Sequence, residues 1–493
     1  MVTEYVLRKL EEILGASNVH ATPGQVKAYE CDGYVAFKSL PGAVIFPQST
    51  DEVSHVLKLF SEQRVPYVAR GAGTGLSGGA TPTRGDVVIS LAKMDQLLSL
   101  DLENHRAVVQ PGFVNLELTK RVAGKSFYYA PDPSSQSVCT IGGNFAENAG
   151  GSHCLKYGVT TNHVTAATIV LPDGEIVEVG SSFGDEDGLD LLGLYVGSEG
   201  TLGIATEITV KILKKPQAVQ TIMALFDRVE DASASVSGFI AAGIIPAACE
   251  MMDQLAMQAV DKSRYHVGYP SDVEAVLIVE VDGLEATVRA LSKRVMDVCT
   301  ENHVREVRSA KSEEERALWW SSRKMAFPAI GRISPDYMVQ DGVIPRSRLA
   351  EVLKRIETIS QTSGLRIANV FHAGDGNLHP LICYDSKKGE TDIAQDVGRQ
   401  ILELCVDVGG SITGEHGVGI EKIAEMRYQF SQEELTLQQA IRDQLDPKGL
   451  CNAGKLIPTP SRCMEMKGAA SPSVSSLEQI LSASGSPQAR LAR

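Results

Sequence analysis

The sequence predicts an α+β protein with two sheet-bearing halves, and three observations lead there. Residues 37 to 215 alternate short apolar runs with glycine- and proline-rich turns, the punctuation of a strand-heavy domain. The stretch KKPQ at 214 to 217 breaks that rhythm. Beyond it, strand-like and helix-like runs alternate to about residue 457, the pattern of a sheet covered by helices on one face. A chain of 493 residues is long enough for two or three domains and a substantial core.

The first 36 residues hold an acidic amphipathic helix, MVTEYVLRKLEEIL, and a lead-in; the helix is too charged to be an apolar signal sequence. In the 37–215 domain PGAVIFP, VPYVAR, VVISL, RAVVQPG, AATIVLPDG and IATEITVKI read as strands. STDEVSHVLKLFSEQ and VNLELTKRVAG carry helical periodicity. In the 216–457 domain TIMALF, IIPAACEMM, EAVLIVEVDG, DYMVQDGVIP and GLRIANVFHAG read as strands. Helices are expected around EDASASVSGFIAAG, EATVRALSKRVMDVC and RSRLAEVLKRIETISQ. Residues 458–493 are rich in Ser, Pro and Ala and read as a flexible tail.

Composition removes several classes of function. A net charge of −14 argues against nucleic acid, whose phosphates call for clustered Lys and Arg. The most apolar long run, VSGFIAAGIIPAA, is too short to span a bilayer and contains Pro246. Membrane contact is therefore expected to be peripheral. Nine scattered cysteines include no C-x-x-C, which excludes the usual local iron–sulfur and zinc-ribbon spacings and fits a reducing cytoplasm.

Three stretches carry chemistry. VPYVARGAGTGLSGGATP has five glycines among residues 71 to 79. Gly73 to Gly78 match G-x-G-x-x-G, but Gly79, Pro82 and Gly85 follow where a nicotinamide-binding fold needs a helix. The loop still offers consecutive N–H groups to an anion. Taken alone, it also reads as an ordinary turn between strands.

In RIANVFHAGDGNLHPLICY, Asp375-Gly376 between apolar runs signals a two-residue hairpin loop. Counting outward sets His372 opposite His379, two imidazoles placed for one metal ion. In SITGEHGVG, an extended backbone would send Glu415 to complete a His–His–Glu set and His416 to a different part of the site. Such a set leaves coordination positions open, as catalytic metals require, yet it equally suits non-haem iron, so it names neither metal nor reaction. A solvated Glu-His pair on a surface loop fits the same residues. Arg323, beside the only two tryptophans, could fork onto a carboxylate, though such arginines are more often structural.

The blocks RGAGTGLSGG, APDPSSQSVCTIGGNFAENAGG, KYGVT and VGSEGTLGIATEITVKI resemble the FAD-linked oxidases with a vanillyl-alcohol-oxidase or p-cresol-methylhydroxylase-type flavin domain. FHAGDGNLHPL and GEHGVG resemble the C-terminal domain of that superfamily's 2-hydroxy-acid dehydrogenases, most of all those of the bacterial glycolate oxidase kind. D-lactate and D-2-hydroxyglutarate dehydrogenases are close behind. The resemblance runs from about residue 25 to 457.

It implies a two-part FAD-binding domain followed by a sheet-and-helix substrate domain. It assigns FAD contacts to Arg70, Gly71, Ala72, Gly73, Thr74 and Gly75 in the first block. Pro131, Asp132, Ser134, Gly142, Gly143, Asn148 and Gly150 follow in the second. Gly197, Glu199, Gly200, Gly203, Ile204 and finally Asn452 complete the set. Relatives that bond FAD covalently often carry a histidine where this chain has Thr74, so the flavin is expected to be non-covalent. The resemblance also gives His372, His379 and Glu415 to a divalent metal, zinc or manganese, Arg323 to the substrate carboxylate and His416 to the base, with a pKa near neutral. Phe327 and Leu381 stand where hydroxyglutarate enzymes carry polar substrate contacts, which favours a short acid such as glycolate or D-lactate.

The implied reaction is oxidation of a 2-hydroxy acid to the 2-oxo acid. Electrons would leave to partner subunits of a glycolate oxidase complex, an iron–sulfur subunit and a second FAD-domain subunit. Those partners would hold a cytoplasmic chain at the inner face of the membrane. A non-redox FAD transferase would need a phosphate site, and none is visible outside the flavin blocks. A non-catalytic flavin subunit could dispense with the metal set and base.

Overall fold

The computed structural model describes residues 2–83, 85–182 and 188–458. The segment expected to be a flexible tail lies, beyond Pro458, outside the described residues.

Strands buried along their whole length, such as Ala43–Ile45 and Val87–Ser90, must be covered, and this governs the first sheet. A four-stranded sheet runs Val19–His20, Ala43–Ile45, Val87–Ser90, Tyr67–Arg70, the last three parallel. Helices Glu4–Leu14 and Thr50–Gln63 close one face, packing Leu10, Leu57 and Phe60 on Ile45, Tyr67 and Ile89. Thr3 and Ser49 cap them by accepting the N–H groups of Val6 and Glu52. A five-stranded antiparallel sheet follows, ordered Leu97–Asp101, Arg106–Val109, Ile204–Lys211, Val164–Val170, Ile176–Gly180.

Helix Ile141–Glu147 is an element the pattern does not announce, because Gly142 and Gly143 are poor helix formers. Packing overrides propensity: a Cβ on Gly142 would collide with Pro111. Thr140 caps the helix, and Asn148 ends it in the left-handed conformation.

The second half is one eight-stranded sheet. Its order is Glu306–Ser309, Ala218–Phe226, Ala275–Gly283, Ala248–Asp253, Ile367–His372, Asn377–Tyr384, Asp336–Val339, with Gly342–Val343 also on Asn377–Tyr384. Helices cover both faces, not one. Val229–Ala241, Glu285–Glu301, Leu349–Ser363 and Thr391–Asp407 pack on the face of Ile222, Leu277 and Phe371. Gln254–Asp261, Glu313–Lys324 and Ala326–Ile330 pack on the face of Met223, Ile278 and Val370. The near-continuous apolar runs of the central strands required that double cover.

The second face gives way to polar side chains where it meets the flavin-binding half. Glu280, buried there, accepts from Thr221 Oγ1 (2.7 Å), Trp320 Nε1 (2.8 Å), Arg316 Nε (3.0 Å) and Arg316 Nη2 (3.1 Å). His153 of the first half sits between Glu280 (3.3 Å) and Asp132 (2.9 Å) and stacks on Trp320. Nearby, Tyr157 donates to Asp282 Oδ2 at 2.5 Å, and Lys156 pairs with the same carboxylate.

This latch makes stability depend on pH. Burial opposes the charge on His153, but Asp132 and Glu280 raise its pKa from 6.5 to about 10. Burial likewise opposes ionisation of Glu280, yet His153 and Arg316 lower it from 4.5 to about 2. The stabilisation from His153 is complete below 6.5 and fades as pH rises through about 10, whereas that of Glu280 is complete above 4.5 and fades toward about 2. Replacing His153 with glutamine is expected to flatten the alkaline fall in Tm, measured by scanning calorimetry against pH. An unchanged slope would take His153 out of the latch.

Candidate functional site

The glycine loop leaves strand Tyr67–Arg70 and lies between two cavities. One, of about 340 Å³, is lined by Asp95, Phe113, Glu117 and Arg121. The other, of about 430 Å³, runs beside Ser134, Gly143 and Glu147 to Arg323, His372 and Glu415. Gly71, Ala72 and Thr140 line both. A Cβ on Gly71 would strike Thr140 Oγ1, and Gly73 has φ +71°, so bare backbone is required here. Buried Lys455 holds the far side of the loop, donating to the carbonyls of Gly79 (2.7 Å) and Thr81 (2.5 Å). An elongated cofactor with an anionic middle fits this two-chamber cleft.

Of the residues expected to touch flavin, Gly71, Ala72, Gly73, Thr74, Gly75, Ser134, Gly143 and Gly150 line the larger cavity. The others brace its walls. Arg70 donates to Ala80 O, Asp132 accepts from His153, Asn148 accepts from Thr161 N, and Asn452 donates to the carbonyls of Gly79 and Glu199. Gly142 packs on Pro111, Gly203 has φ +146°, and Ile204 begins a strand. Pro131 O accepts from Asn115, while Gly197 and Gly200 take positive φ in the turn around Glu199.

At the other end, the hairpin register differs from expectation. Val370, not His372, pairs with His379, and His372 pairs with Asn377, so the loop is the four residues 373–376. A two-residue shift preserves the face of the sheet, so the imidazoles remain diagonal neighbours with ring centroids 5.1 Å apart. His372 Nε2 and His379 Nε2 lie 3.4 and 3.2 Å from Glu415 Oε1. His379 Nε2 is buried without a well-formed hydrogen bond. Two imidazole nitrogens and one carboxylate oxygen, all within 4.8 Å of each other, form a donor set that suits a divalent cation.

Glu250, which the sequence did not single out, orients His372 and Arg323. It lies across the strands from His372 and accepts from His372 Nδ1 at 2.7 Å. The proton on Nδ1 leaves Nε2 turned toward Glu415. The other oxygen of Glu250 lies 2.6 Å from Arg323 Nη2, and Arg323 is only 3% exposed. Although burial opposes it, Arg323 and His372 keep the Glu250 carboxylate below its usual pKa. Arg323 Nε and Nη2 lack well-aligned acceptors, and the residue lines the cavity.

Asp341 is the other residue the sequence left unnoticed. It accepts from Thr413 Oγ1 (2.6 Å), His416 N (2.9 Å), Asn377 Nδ2 (2.9 Å), Gly414 N (3.0 Å) and Lys422 Nζ (3.3 Å). The segment therefore bends around a carboxylate and is not extended. His416 lines the same cavity as Glu415. Its ring stacks on His379, centroids 4.9 Å apart and planes within 12°. Burial, reinforced by His379 and Lys422 against the pull of Asp341, lowers the His416 pKa to about 4, below the near-neutral value expected. Asp341 and His379 also lie within reach of His416 as a second donor trio, but the oxygens of Asp341 are already taken by main-chain and side-chain donors. Phe327 lines the cavity edge-on to His379, whereas Leu381 is fully buried in the core and out of reach of a substrate.

Residues 41–180 match the family model described as FAD binding domain, and residues 215–456 match FAD linked oxidases, C-terminal domain. The chain belongs to the FAD-linked oxidases. It is 48% identical over 461 residues to the glycolate oxidase subunit GlcD of Escherichia coli (strain K12), covering 93% of this chain and 92% of the relative. It is 32% identical to the D-lactate dehydrogenase of Anaerostipes hadrus, over 85% of this chain and 90% of that one. The crystal structure of p-cresol methylhydroxylase with substrate bound superposes with a TM-score of 0.78 at 16% identity, covering 92% of this chain and 96% of that one. This FAD-linked oxidase is thus an FAD-dependent oxidoreductase of two-part flavin-domain architecture. Among the described residues, no helix of the FAD-linked oxidase is long and apolar enough to cross a membrane.

Proposed function

We propose that the protein oxidises glycolate to glyoxylate. The observation that carries this reading is the meeting of Arg323, His372, His379, Glu415 and His416 in the cavity that the glycine loop also lines. The names of the relatives, glycolate oxidase subunit and D-lactate dehydrogenase, support a short 2-hydroxy acid.

His372, His379 and Glu415 would hold zinc or manganese, and the glycine loop would hold FAD without a covalent bond. When bound, FAD supplies the two-electron acceptor and the divalent ion supplies Lewis-acid polarisation. The residues of the chain do the rest. Arg323, which lines the cavity, takes the substrate carboxylate. His416, held over His379, accepts the proton of the 2-hydroxyl. Phe327 closes the space beside His379 against longer side chains. Electrons would pass to an iron–sulfur subunit and a second FAD-domain subunit of a glycolate oxidase complex, which would also hold the chain at the inner face of the membrane.

The test is anaerobic bleaching of the flavin band by glycolate, D-lactate, L-lactate and D-2-hydroxyglutarate, each with and without a chelator. Glycolate is expected to bleach fastest, the chelator to stop it, and added Mn²⁺ or Zn²⁺ to restore it. A flavin that none of the four bleaches after metal is restored would overturn the proposal.

A further inference from the structure

Glu199 stands out because its backbone and side chain are both committed. It is one of few non-glycine residues at positive φ (+53°), and it is 4% exposed. A buried glutamate in that region persists only where its surroundings hold it. Its N–H donates to Ala146 O at 2.8 Å, and its carbonyl accepts Asn452 Nδ2 at 2.7 Å. The side chain does not line the flavin cavity. Instead Oε1 accepts the N–H of Val418 and Oε2 that of Gly419, each at 2.6 Å.

Those two amides lie two and three residues beyond His416, across Gly417. Asp341 takes the N–H groups of Gly414 and His416 from the opposite side. The segment is therefore strung between one carboxylate from the substrate half and one from the flavin half. Ser77 of the glycine loop adds a second tether, its carbonyl accepting Ile420 N (2.8 Å) and Glu421 N (3.1 Å). Gly417, at φ +79°, has no room for a side chain: a Cβ would lie 2.8 Å from Glu199 Oε1 and would collide with Glu147.

We infer that Glu199 is a positioning residue, which uses the flavin-binding half to set where Glu415 and His416 stand relative to the flavin. This inference rests on the function proposed for those two residues. Glutamine at 199 would turn an NH₂ donor toward one of two N–H groups, so one of them must move away. Aspartate would keep the charge but fall a methylene short of reaching both.

The test compares wild-type holoenzyme with Glu199→Gln and Glu199→Asp in three readings. FAD per chain should be unchanged. Hydrogen exchange should quicken at Val418 and Gly419 without a general loss of protection. Glycolate-driven kcat should fall by about 100-fold in Glu199→Gln with KM little changed, the scale of a small misplacement of reacting groups, and by less in Glu199→Asp. Wild-type exchange and kcat in Glu199→Gln would overturn the inference. So would a loss of FAD in proportion to activity, which would make Glu199 a cofactor contact. Should Glu199→Gln fail to fold, Glu199→Asp carries the same readings. If glycolate fails to bleach even wild-type enzyme, the proposed function falls while the exchange measurement still decides the role of Glu199.

Discussion

Replacing His416 with glutamine is expected to slow glycolate-driven bleaching of the flavin by about 10²–10⁴-fold, the usual contribution of a positioned general base. The substitution is well suited to the question because Asp341 holds residue 416 by its main-chain N–H, not its ring. Glutamine therefore inherits the backbone position, and its amide cannot take up a proton. FAD content and reduction by dithionite should match wild type, which separates proton transfer from cofactor binding. A rate within about threefold of wild type would take His416 out of the chemistry.

Replacing Arg323 with methionine is expected to do two kinds of damage. Glu250 would be left as a buried charge with one cation fewer, and breaking such a pair costs about 3–5 kcal/mol. Chemical denaturation should show that loss. The substrate carboxylate would lose its partner as well, so glycolate should no longer bleach the flavin at concentrations that saturate wild type. The double variant Glu250→Gln, Arg323→Met separates the two effects. It removes the uncompensated charge and still accepts from His372, so stability should return while bleaching does not. Recovery of both together would show that Arg323 acts only as the counter-ion of Glu250.

Much of this site was legible because its chemistry sits in short contiguous motifs. The glycine run from Gly71 to Gly79 announces a place where backbone must come close to something. His372 and His379 were brought together by counting along a hairpin, and the period of two rescued the answer when the loop was four residues long. Glu250 and Asp341 were hidden for a different reason. Each is a carboxylate within or just after an apolar strand, and each acts on the site through partners far along the chain: Glu250 through His372, 122 residues on, and Asp341 through Asn377, 36 residues on, and His416, 75 residues on. Nothing local distinguishes such a residue from a solvated one. The second cover on the large sheet was likewise readable only from how continuously apolar its strands are. Helix Ile141–Glu147 escaped because its glycines serve close packing against Pro111, which propensity does not record.

The chain's described end returns to its beginning. Tyr67 donates its N–H to Leu450 O at 3.0 Å, Asn452 donates back to Tyr67 O at 2.8 Å, and Lys455 grips the glycine loop. The edge of the first sheet is thus completed by residues made almost 400 positions later. During synthesis, the cofactor loop of a nascent chain lacks that clasp until residue 455 has left the ribosome. The final geometry of the cofactor loop thus rests on contacts of very high sequence separation, which form only after their loop-closure entropy has been met.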